Sequence, residues 1–256
     1  PLQFVTPTEF VELPSKGKGY PPEHPLHNKE VMEIRFMTAK DEDILTSQTL
    51  LKKGLALERM MENIIIDKKI KPESLLVGDR NALLIAARIS GYGAGYETSI
   101  ACPACGERGN LMFDLTNRTY NHGEDYGDVH VHQTDRGTFM VTLALSKLEV
   151  EVRLLTGKDE QWLVSMAKSN KKRKLQESSL TDQYRLMIVS VNGHNDKKVI
   201  DYVVNNLPAV DSRHLRLAYK KLSPNVSVFE DYSCPACGHE QAVEVPFNTD
   251  FFWPDR

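Results

Sequence analysis

Two identical blocks, Cys102-Pro-Ala-Cys105-Gly106 and Cys234-Pro-Ala-Cys237-Gly238, contain all four cysteines of this 256-residue chain. A Cys-x-x-Cys turn points two thiols at one place, and the glycine that follows permits the tight backbone. Two such turns supply the four sulfurs of a closed tetrahedral zinc site. The pattern predicts one structural Zn²⁺ per chain, with these ligands: Cys102, Cys105, Cys234 and Cys237.

Two other interpretations of the blocks remain open at this point. A redox Cys-x-x-Cys normally acts alone at the start of a helix, whereas each pair here lies between extended segments. The four thiols could also be two inert buried pairs. The blocks are 132 residues apart, far more than the roughly 12–20 residues of a compact zinc ribbon. One shared ion therefore requires a fold that brings distant segments together, and His239 is an additional candidate ligand.

The blocks belong to a longer internal similarity. A shift of 132 residues aligns Asp79–Leu115 with Asp211–Phe247 without a gap. A second pair of segments, Glu33–Glu42 and Glu151–Glu160, is identical at six of ten positions at a shift of 118. The same order of segments predicts a duplicated chain, in which the second copy has about 14 extra residues near Ser169–Ser179.

Each copy has the local signals of a strand, two helices and a strand. Thr38 and Thr156 each precede an aspartate by three residues, as in a helix capping box. Asp79 and Asp211 are predicted to cap a further helix in each copy. The predicted fold class is α+β: internally duplicated strand-helix-helix-strand units, each with a zinc-ribbon knuckle, related by a pseudo-twofold axis.

The predicted organisation has five segments. Val129–Gln133 and Thr138–Leu145 flank the turn Thr134-Asp-Arg-Gly137 and predict a β-hairpin. The segments are an N-terminal arm or loop (1–32), repeat 1 with the first knuckle (33–115), a linker with the hairpin (116–150), repeat 2 with the second knuckle (151–247) and an aromatic C-terminal tail (248–256).

Three adjacent aromatic residues, Phe251, Phe252 and Trp253, stand in the tail. Aromatic side chains at such a position either dock onto their own core or anchor a partner protein. We take them as candidate partner-binding residues and keep both alternatives open.

Composition excludes several classes of protein. With 32 basic and 35 acidic residues the net charge is −3, which argues against a dedicated nucleic-acid binder. No apolar run approaches the roughly 18–20 residues of a membrane helix. The first residues have no basic stretch followed by an apolar one, so no secretion signal is expected. These features predict a protein of the cytoplasm.

Searches for catalytic residues find no acid, base and nucleophile in a defensible pattern, so the chain is not expected to be an enzyme. His130 and His132 alternate along one strand, with His122 nearby, and could hold a metal or lie on a solvated hairpin. The basic run Lys171–Lys174 is expected to be a solvated surface rather than a nucleic-acid contact.

Several motifs together resemble baseplate hub proteins of T-even-like contractile-tailed bacteriophages. They are Leu13–Gly17, Glu33–Thr46, Gly78–Arg88 and the Cys-Pro-x-Cys-Gly knuckle. The resemblance covers mainly the first 115 residues. Its knuckle corresponds here to the four cysteines already quoted.

The resemblance implies a structural or assembly role in the virion tail baseplate, after assembly in the host cytoplasm. The implied partners are other baseplate hub proteins and the end of the tape-measure protein, in a larger assembly with several copies. From the composition, no contact with a membrane is expected, and a nucleic-acid partner is not expected either. The alternative function is that of a zinc-ribbon nucleic-acid-binding or regulatory protein.

Overall fold

The structure is a computed structural model that describes residues 5–173, 178–247 and 249–252. We call residues 8–114 the first half and residues 131–244 the second half. The first half contains β1 (Thr8–Glu12), β2 (Val31–Arg35), α1 (Ala39–Thr46), α2 (Gln48–Lys53), α3 (Ala56–Ile64), a 3₁₀ turn (Pro72–Ser74), α4 (Val77–Tyr92), β3 (Gly95–Ala101) and β4 (Arg108–Asp114).

The remaining elements continue in chain order from residue 118. They are β5 (Arg118–Asn121), β6 (Val131–Gln133), β7 (Phe139–Thr142), β8 (Glu149–Val152), α5 (Gly157–Lys172), α6 (Ser179–Met187), β9 (Ile188–Val191), α7 (Lys197–Asn206), α8 (Ala209–Leu222), β10 (Asn225–Ser233), β11 (Glu240–Glu244) and a 3₁₀ turn (Thr249–Phe252). The chain is therefore a mixed α+β protein, as predicted.

The strands pair antiparallel in four small sheets. Their orders are β1-β2, β3-β4, β6-β7-β8-β9 and β11-β10-β5. The predicted hairpin is present as β6 and β7. Two strands lie in segments that the sequence assigned to an arm and a linker, because β1 pairs with β2 and β5 pairs with β10 of the second half.

The predicted capping box at Thr38 is confirmed. The Thr38 amide donates to Asp41 Oδ2 at 2.8 Å, and the Thr38 hydroxyl to the same oxygen at 3.0 Å. The Arg35 guanidinium donates two further bonds, at 2.7 and 3.0 Å, to the two Asp41 oxygens. Burial alone would raise the pKa of Asp41, but these hydrogen bonds hold it below its ordinary 3.8.

The second half repeats this arrangement at the predicted position. Asp159 accepts from the Thr156 amide at 2.8 Å and from the Thr156 hydroxyl at 3.0 Å. Arg153 donates to both Asp159 oxygens at 2.8 Å. Burial opposes the shift, but the bonds from Arg153 and Thr156 again lower the pKa of the aspartate.

The extra residues of the second half are not centred on Ser169–Ser179. Ile34 pairs with Ile65 in the first half, and Val152 pairs with Ile188 in the second. The difference in residue number between matching positions is 118 for Ile34 and Val152 and 123 for Ile65 and Ile188. It is 132 for the first residues of α4 and α8. Five of the additional residues therefore fall between Val152 and Ile188, and nine fall between Ile188 and Ala209, where α7 lies.

Asp79 and Asp211 do not cap their helices, because α4 and α8 begin two residues earlier. Asp79 accepts instead from the Ser15 amide at 3.0 Å, the Ser15 hydroxyl at 2.6 Å and the Tyr20 hydroxyl at 2.7 Å. Burial raises the pKa of Asp79 in spite of these bonds.

Asp211 makes the matching contacts in the second half. It accepts from the backbone amides of Leu145 at 2.7 Å and Ser146 at 3.0 Å. Burial opposes the shift, but these donors lower the pKa of Asp211. Each aspartate thus ties the start of a helix to the loop that follows a strand, β1 in the first half and β7 in the second.

Helix α4 passes through the core, and ten of its residues are buried. Arg88 is 1% exposed and donates to three backbone oxygens: Phe251 at 2.8 Å, Gly93 at 2.7 Å and Gly95 at 2.9 Å. Asn81 bonds to Asn225 of the second half at 3.1 Å. The polar groups of this helix therefore fix segments from both halves.

The halves also meet through backbone hydrogen bonds. The Val77 amide donates to the Leu155 oxygen at 3.1 Å, and the Gly157 amide to the Leu75 oxygen at 2.9 Å. Arg80 forms ion pairs with Glu58 at 2.7 Å and with Glu160 at 3.1 Å. The two halves share one main hydrophobic core.

The described part of the aromatic tail docks onto the protein's own core. Phe251 and Phe252 are fully buried, and Phe251 packs edge-on against Tyr96 with ring centroids 5.0 Å apart. Docking onto the core thus accounts for these two residues. Trp253 lies outside the described residues, and a partner contact there stays a prediction.

We predict that Gly78→Ala destabilises the fold. A Cβ at Gly78 would lie 2.0 Å from the Pro224 oxygen, so α4 would have to move away from the start of β10. The expected loss in the free energy of unfolding is about 1–3 kcal/mol, measured by urea denaturation. Gly91→Ala is the control on the same helix, because its Cβ would meet only the Met37 side chain, at 3.5 Å from Sδ and 3.9 Å from Cβ. This variant should be neutral or about 0.5 kcal/mol more stable, and equal losses in both variants would contradict the packing argument.

A second prediction concerns pH. Asp41 has a lower pKa in the folded chain than its ordinary value, so its stabilising effect is present above about pH 4 and is lost as pH falls through the lowered folded value. Asp41→Asn should cost about 1–3 kcal/mol at pH 7 and lose less stability than the parent chain between pH 7 and pH 3. Urea denaturation at both pH values tests this.

The matched control is Asp43→Asn, whose side chain is exposed on the same helix. It should change the stability by no more than about 0.5 kcal/mol at pH 7. If Asp41→Asn lost as much stability on acidification as the parent chain, the role of the Arg35–Asp41 pair would be wrong.

Candidate metal centre

The fold brings the two distant knuckles together. Cys102 Sγ lies 3.7 Å from Cys237 Sγ, and Cys105 Sγ lies 3.7 Å from Cys234 Sγ. All four sulfurs are within 4.8 Å of one another. Each of these two short distances joins one knuckle to the other, which is the arrangement that a shared ion requires.

The first knuckle is a turn at the tip of the β3–β4 hairpin. The Cys102 amide donates to the Glu107 oxygen at 2.8 Å, and the Gly106 amide donates to the Cys102 oxygen at 2.8 Å. Gly106 has φ of +78°, a left-handed conformation that side chains disfavour. The local sequence thus forces the chain to reverse with both sulfurs on one side.

The second knuckle has the same bonds at the tip of the β10–β11 hairpin. The Cys234 amide donates to the His239 oxygen at 2.9 Å, and the Gly238 amide donates to the Cys234 oxygen at 2.9 Å. Gly238 has φ of +70°. His239 contributes this backbone contact, and its side chain is not among the grouped potential ligands in the described part of the chain.

The hairpins pack against each other at Gly109 and Tyr232. A Cβ on Gly109 would lie 2.6 Å from the Tyr232 hydroxyl oxygen and 3.3 Å from Pro235 Cδ. The absence of a side chain on β4 therefore lets β10 approach closely. Tyr232 in turn forms a small apolar cluster with the two buried cysteines, lined by Ile100, Leu111 and Val243.

Two of the sulfur–sulfur distances match the spacing of a tetrahedral metal site. With Zn–S bonds of about 2.3 Å, the sulfurs of a regular tetrahedron are about 3.8 Å apart. The two measured distances of 3.7 Å agree with this value. Cys102 and Cys234 are buried while Cys105 and Cys237 are exposed, so each knuckle contributes one inner and one outer sulfur.

Backbone amides favour a thiolate at the second knuckle. The amides of Cys237 and Ala236 lower the pKa of Cys234 to about 6. The Glu107 amide acts in the same direction on Cys105, but neighbouring cysteines outweigh it and raise the pKa of Cys105 to about 12. Four close sulfurs cannot all carry a negative charge without a compensating cation.

Burial raises the pKa of Tyr232, and the nearby Cys234 sulfur adds to the effect. The Tyr232 hydroxyl has no hydrogen bond of ordinary geometry within the described part of the chain. A buried hydroxyl beside a sulfur cluster fits a site in which the sulfurs are anionic acceptors. The four cysteines therefore have the chemistry and spacing to hold a metal ion.

The other candidate residues do not join this site. His122, His130 and His132 do not form a group with metal-binding geometry in residues 5–173, 178–247 and 249–252. Lys171, Lys172 and Arg173 are exposed at the C-terminal end of α5, and Lys174 lies outside the described residues. Across the described ranges, no helix has the length and apolar content needed to span a bilayer.

Fold and site together define an α+β protein whose two hairpin tips form a tetracysteine cluster. The chain belongs to the family described as T4 bacteriophage base plate protein, which matches residues 6–253. This confirms the resemblance noted in the sequence. Neither the curated proteins nor the solved structures contain a match to the chain.

Membership of this family places the protein in the virion tail, among the other tail components with which a baseplate protein interacts.

We predict that Gly109→Ala disturbs the cluster. The new methyl group must displace the Tyr232 ring, and the two hairpins must separate. The expected cost is about 1–3 kcal/mol in the free energy of unfolding, together with weaker retention of metal during dialysis against a chelator. Gly95→Ala on the same β3–β4 hairpin meets only Met112 Sδ at 3.7 Å and should retain metal like the parent chain. Equal retention in both variants would contradict the close-approach argument.

Proposed function

We propose that the chain is a structural component of the baseplate hub and that one Zn²⁺ joins its two halves. The observation that carries the proposal is the convergence of two sulfurs from each half at tetrahedral spacing. Family membership supplies the setting in the phage tail.

Matching features of the two halves support this interpretation and the duplication predicted from the sequence. The halves share the Arg–Asp–Thr caps, the buried aspartates at the starts of α4 and α8 and the knuckle geometry. We infer two related units with a pseudo-twofold relationship and a zinc-ribbon knuckle in each. The paired strands extend these units beyond the boundaries predicted from the sequence, to β1 in the first and β7 in the second.

Zinc is the metal that best suits the donor set. Four thiolates are soft ligands and match a closed structural zinc site. Such a site has no open position for a substrate, which favours a role in stability over catalysis. If zinc binds the folded chain and not the unfolded chain, its binding free energy adds to the stability of the fold. It would stabilise the joining of two hairpins from distant parts of the chain.

The proposed partners are other baseplate hub proteins and the end of the tape-measure protein. Trp253 remains a proposed partner contact. The hub role implies contact with these proteins during assembly in the host cytoplasm. It also implies several copies of the chain in the larger assembly.

The proposal predicts about one zinc per chain in the purified full-length protein. Cys105→Ser and Cys237→Ser should each lower the metal content and destabilise both halves in one transition, because each variant removes one of four ligands. Elemental analysis measures the zinc content. Thermal unfolding is monitored in each half by amide hydrogen exchange. Ala104→Ser is the control, since it adds a hydroxyl next to Cys105 and leaves the four thiolates in place. Two zinc ions per chain, or independent unfolding of the halves, would contradict the shared-site model.

Incorporation into baseplates tests the structural role. Phage carrying the Cys105→Ser/Cys237→Ser double variant should yield purified tails depleted of this protein, whereas Ala104→Ser phage should incorporate it normally. Its absence from both assembly intermediates and tails of the parent phage would contradict the hub proposal. Retention of the free protein on DNA with a steep dependence on salt would instead favour the nucleic-acid-binding alternative.

A further inference from the structure

Strands β1 and β7 occupy matching places in the two halves. The Leu13 amide donates to the Glu30 oxygen at 2.8 Å, and the Leu143 amide donates to the Leu148 oxygen at 2.9 Å. This register aligns 8–13 with 138–143, and the two segments share Thr, Val and Leu at their first, fourth and sixth positions. What covers one strand is therefore informative about the other.

The outer edge of β7 is covered by β6. These strands pair antiparallel through three residue pairs, and the Thr142 amide donates to the His130 oxygen at 3.2 Å. In the described part of the chain, β1 pairs with β2 alone. The bond at Leu13 makes alternate residues face β2, so the backbone groups of Thr8, Phe10 and Glu12 point to the open edge.

In the described residues before β1, from Val5 onward, the turn of the β6–β7 hairpin has no counterpart. This hairpin turns at Gly137, which has φ of +75°, and the Thr134 amide closes it by donating to the Thr138 oxygen at 2.8 Å. The position of Gly137 is taken by Pro7 in the first half. Proline fixes φ near −65° and cannot adopt this turn. A strand on the edge of β1 must therefore arrive by another route.

The outer face of the β1–β2 pair carries apolar and acidic side chains. Phe10 is 69% exposed and Val31 is 44% exposed. Phe10 lies directly opposite Glu33, and Glu12 opposite Val31. A large exposed aromatic on an open strand edge is a surface that proteins ordinarily protect.

The second half indicates what chemistry would complete this face. Glu151 occupies the place of Glu33, is 3% exposed and pairs with Arg136 of the β6–β7 turn at 2.9 Å. The residue in the place of Arg136 is Thr6, which has no charge. A strand that completes the first half must therefore bring its own cation to Glu33.

We propose that the open edge of β1 is a strand-addition site for an extended segment of another protein. The segment runs antiparallel to β1, sets an apolar side chain beside Phe10 and places Lys or Arg near Glu33. A second copy of this chain fits less well, because the only charged residues of β1 are Glu9 and Glu12, so its β1 would bring no cation to Glu33. The site is independent of the zinc and goes beyond the proposed hub role.

The test uses the full-length chain and an acetylated, amidated peptide, Thr-Val-Thr-Lys-Thr-Val-Thr, which presents Val and Lys on one face of a strand. We call it the Val-Lys peptide, and the Val-Glu peptide has Glu in place of its Lys. Amide hydrogen exchange is followed by NMR. In the isolated chain the amides of Thr8, Phe10 and Glu12 should exchange fast, and those of Val11 and Leu13 slowly. Saturating peptide should slow the first set about tenfold or more. The Val-Glu peptide should leave these rates unchanged.

Two variants locate the binding. Phe10→Pro removes an outward amide and the aromatic ring but leaves the hydrogen bonds to β2, so peptide affinity should fall about tenfold. Slow exchange at Val11 and Leu13 checks that β1 stays in place. Glu33→Gln should weaken binding of the Val-Lys peptide and reduce its dependence on salt.

Three results would overturn the inference. One is unchanged affinity in both variants, and another is equal binding of the Val-Glu peptide. The third is slow exchange at Thr8, Phe10 and Glu12 before peptide is added. Light scattering would then distinguish an edge occupied by a second copy from one occupied by the chain itself. Zinc content and incorporation into baseplates are separate readouts, so failure here leaves the proposed function standing.

Discussion

The fold depends on the burial of polar groups along α4, since each buried polar group must find a partner within the protein. Asp79, Asn81 and Arg88 lie on this helix, and their partners come from different parts of the chain. Ser15 and Tyr20 supply donors to Asp79. Loss of any one contact would leave a desolvated polar group behind.

These contacts determine where the sulfur cluster forms. Arg88 holds the backbone at Gly93 and Gly95, where β3 begins, and Asn81 holds Asn225, where β10 begins. The two hairpins therefore start from fixed points on one helix. Gly78 allows a close approach between α4 and the second half at Pro224. The tips of the hairpins then meet because α4 already holds their bases side by side.

Local signals in the sequence predicted local structure correctly. The caps at Thr38 and Thr156 depend on a residue three positions away, and each knuckle depends on five consecutive residues. The convergence of the knuckles was predicted only as a condition for a shared ion, since spacing alone does not reveal which distant segments meet. The repeated blocks and the internal similarity around them supplied that expectation.

Features that depend on distant contacts were missed or misplaced. Asp79 and Asp211 are of a residue type that often caps helices, but their carboxylates accept hydrogen bonds from donors distant in the sequence. β1 and β5 are short strands with weak alternation, and their partners made them strands. The buried Phe251 could not be distinguished from an exposed anchor, because hydrophobicity is the same in both cases and only the surrounding core differs.

The spacing of the cysteines also sets an order of events during synthesis. The first knuckle can form its turn as soon as it leaves the ribosome, but its partner sulfurs are encoded 132 residues later. Closing so long a loop before the intervening helices have folded would carry a large entropic cost. We therefore expect the cluster to be completed after α4 and α8 have brought the hairpins side by side. A chain truncated before Cys234 would hold two of the four sulfurs, so completion of the cluster marks a chain that has been translated and folded through its second half.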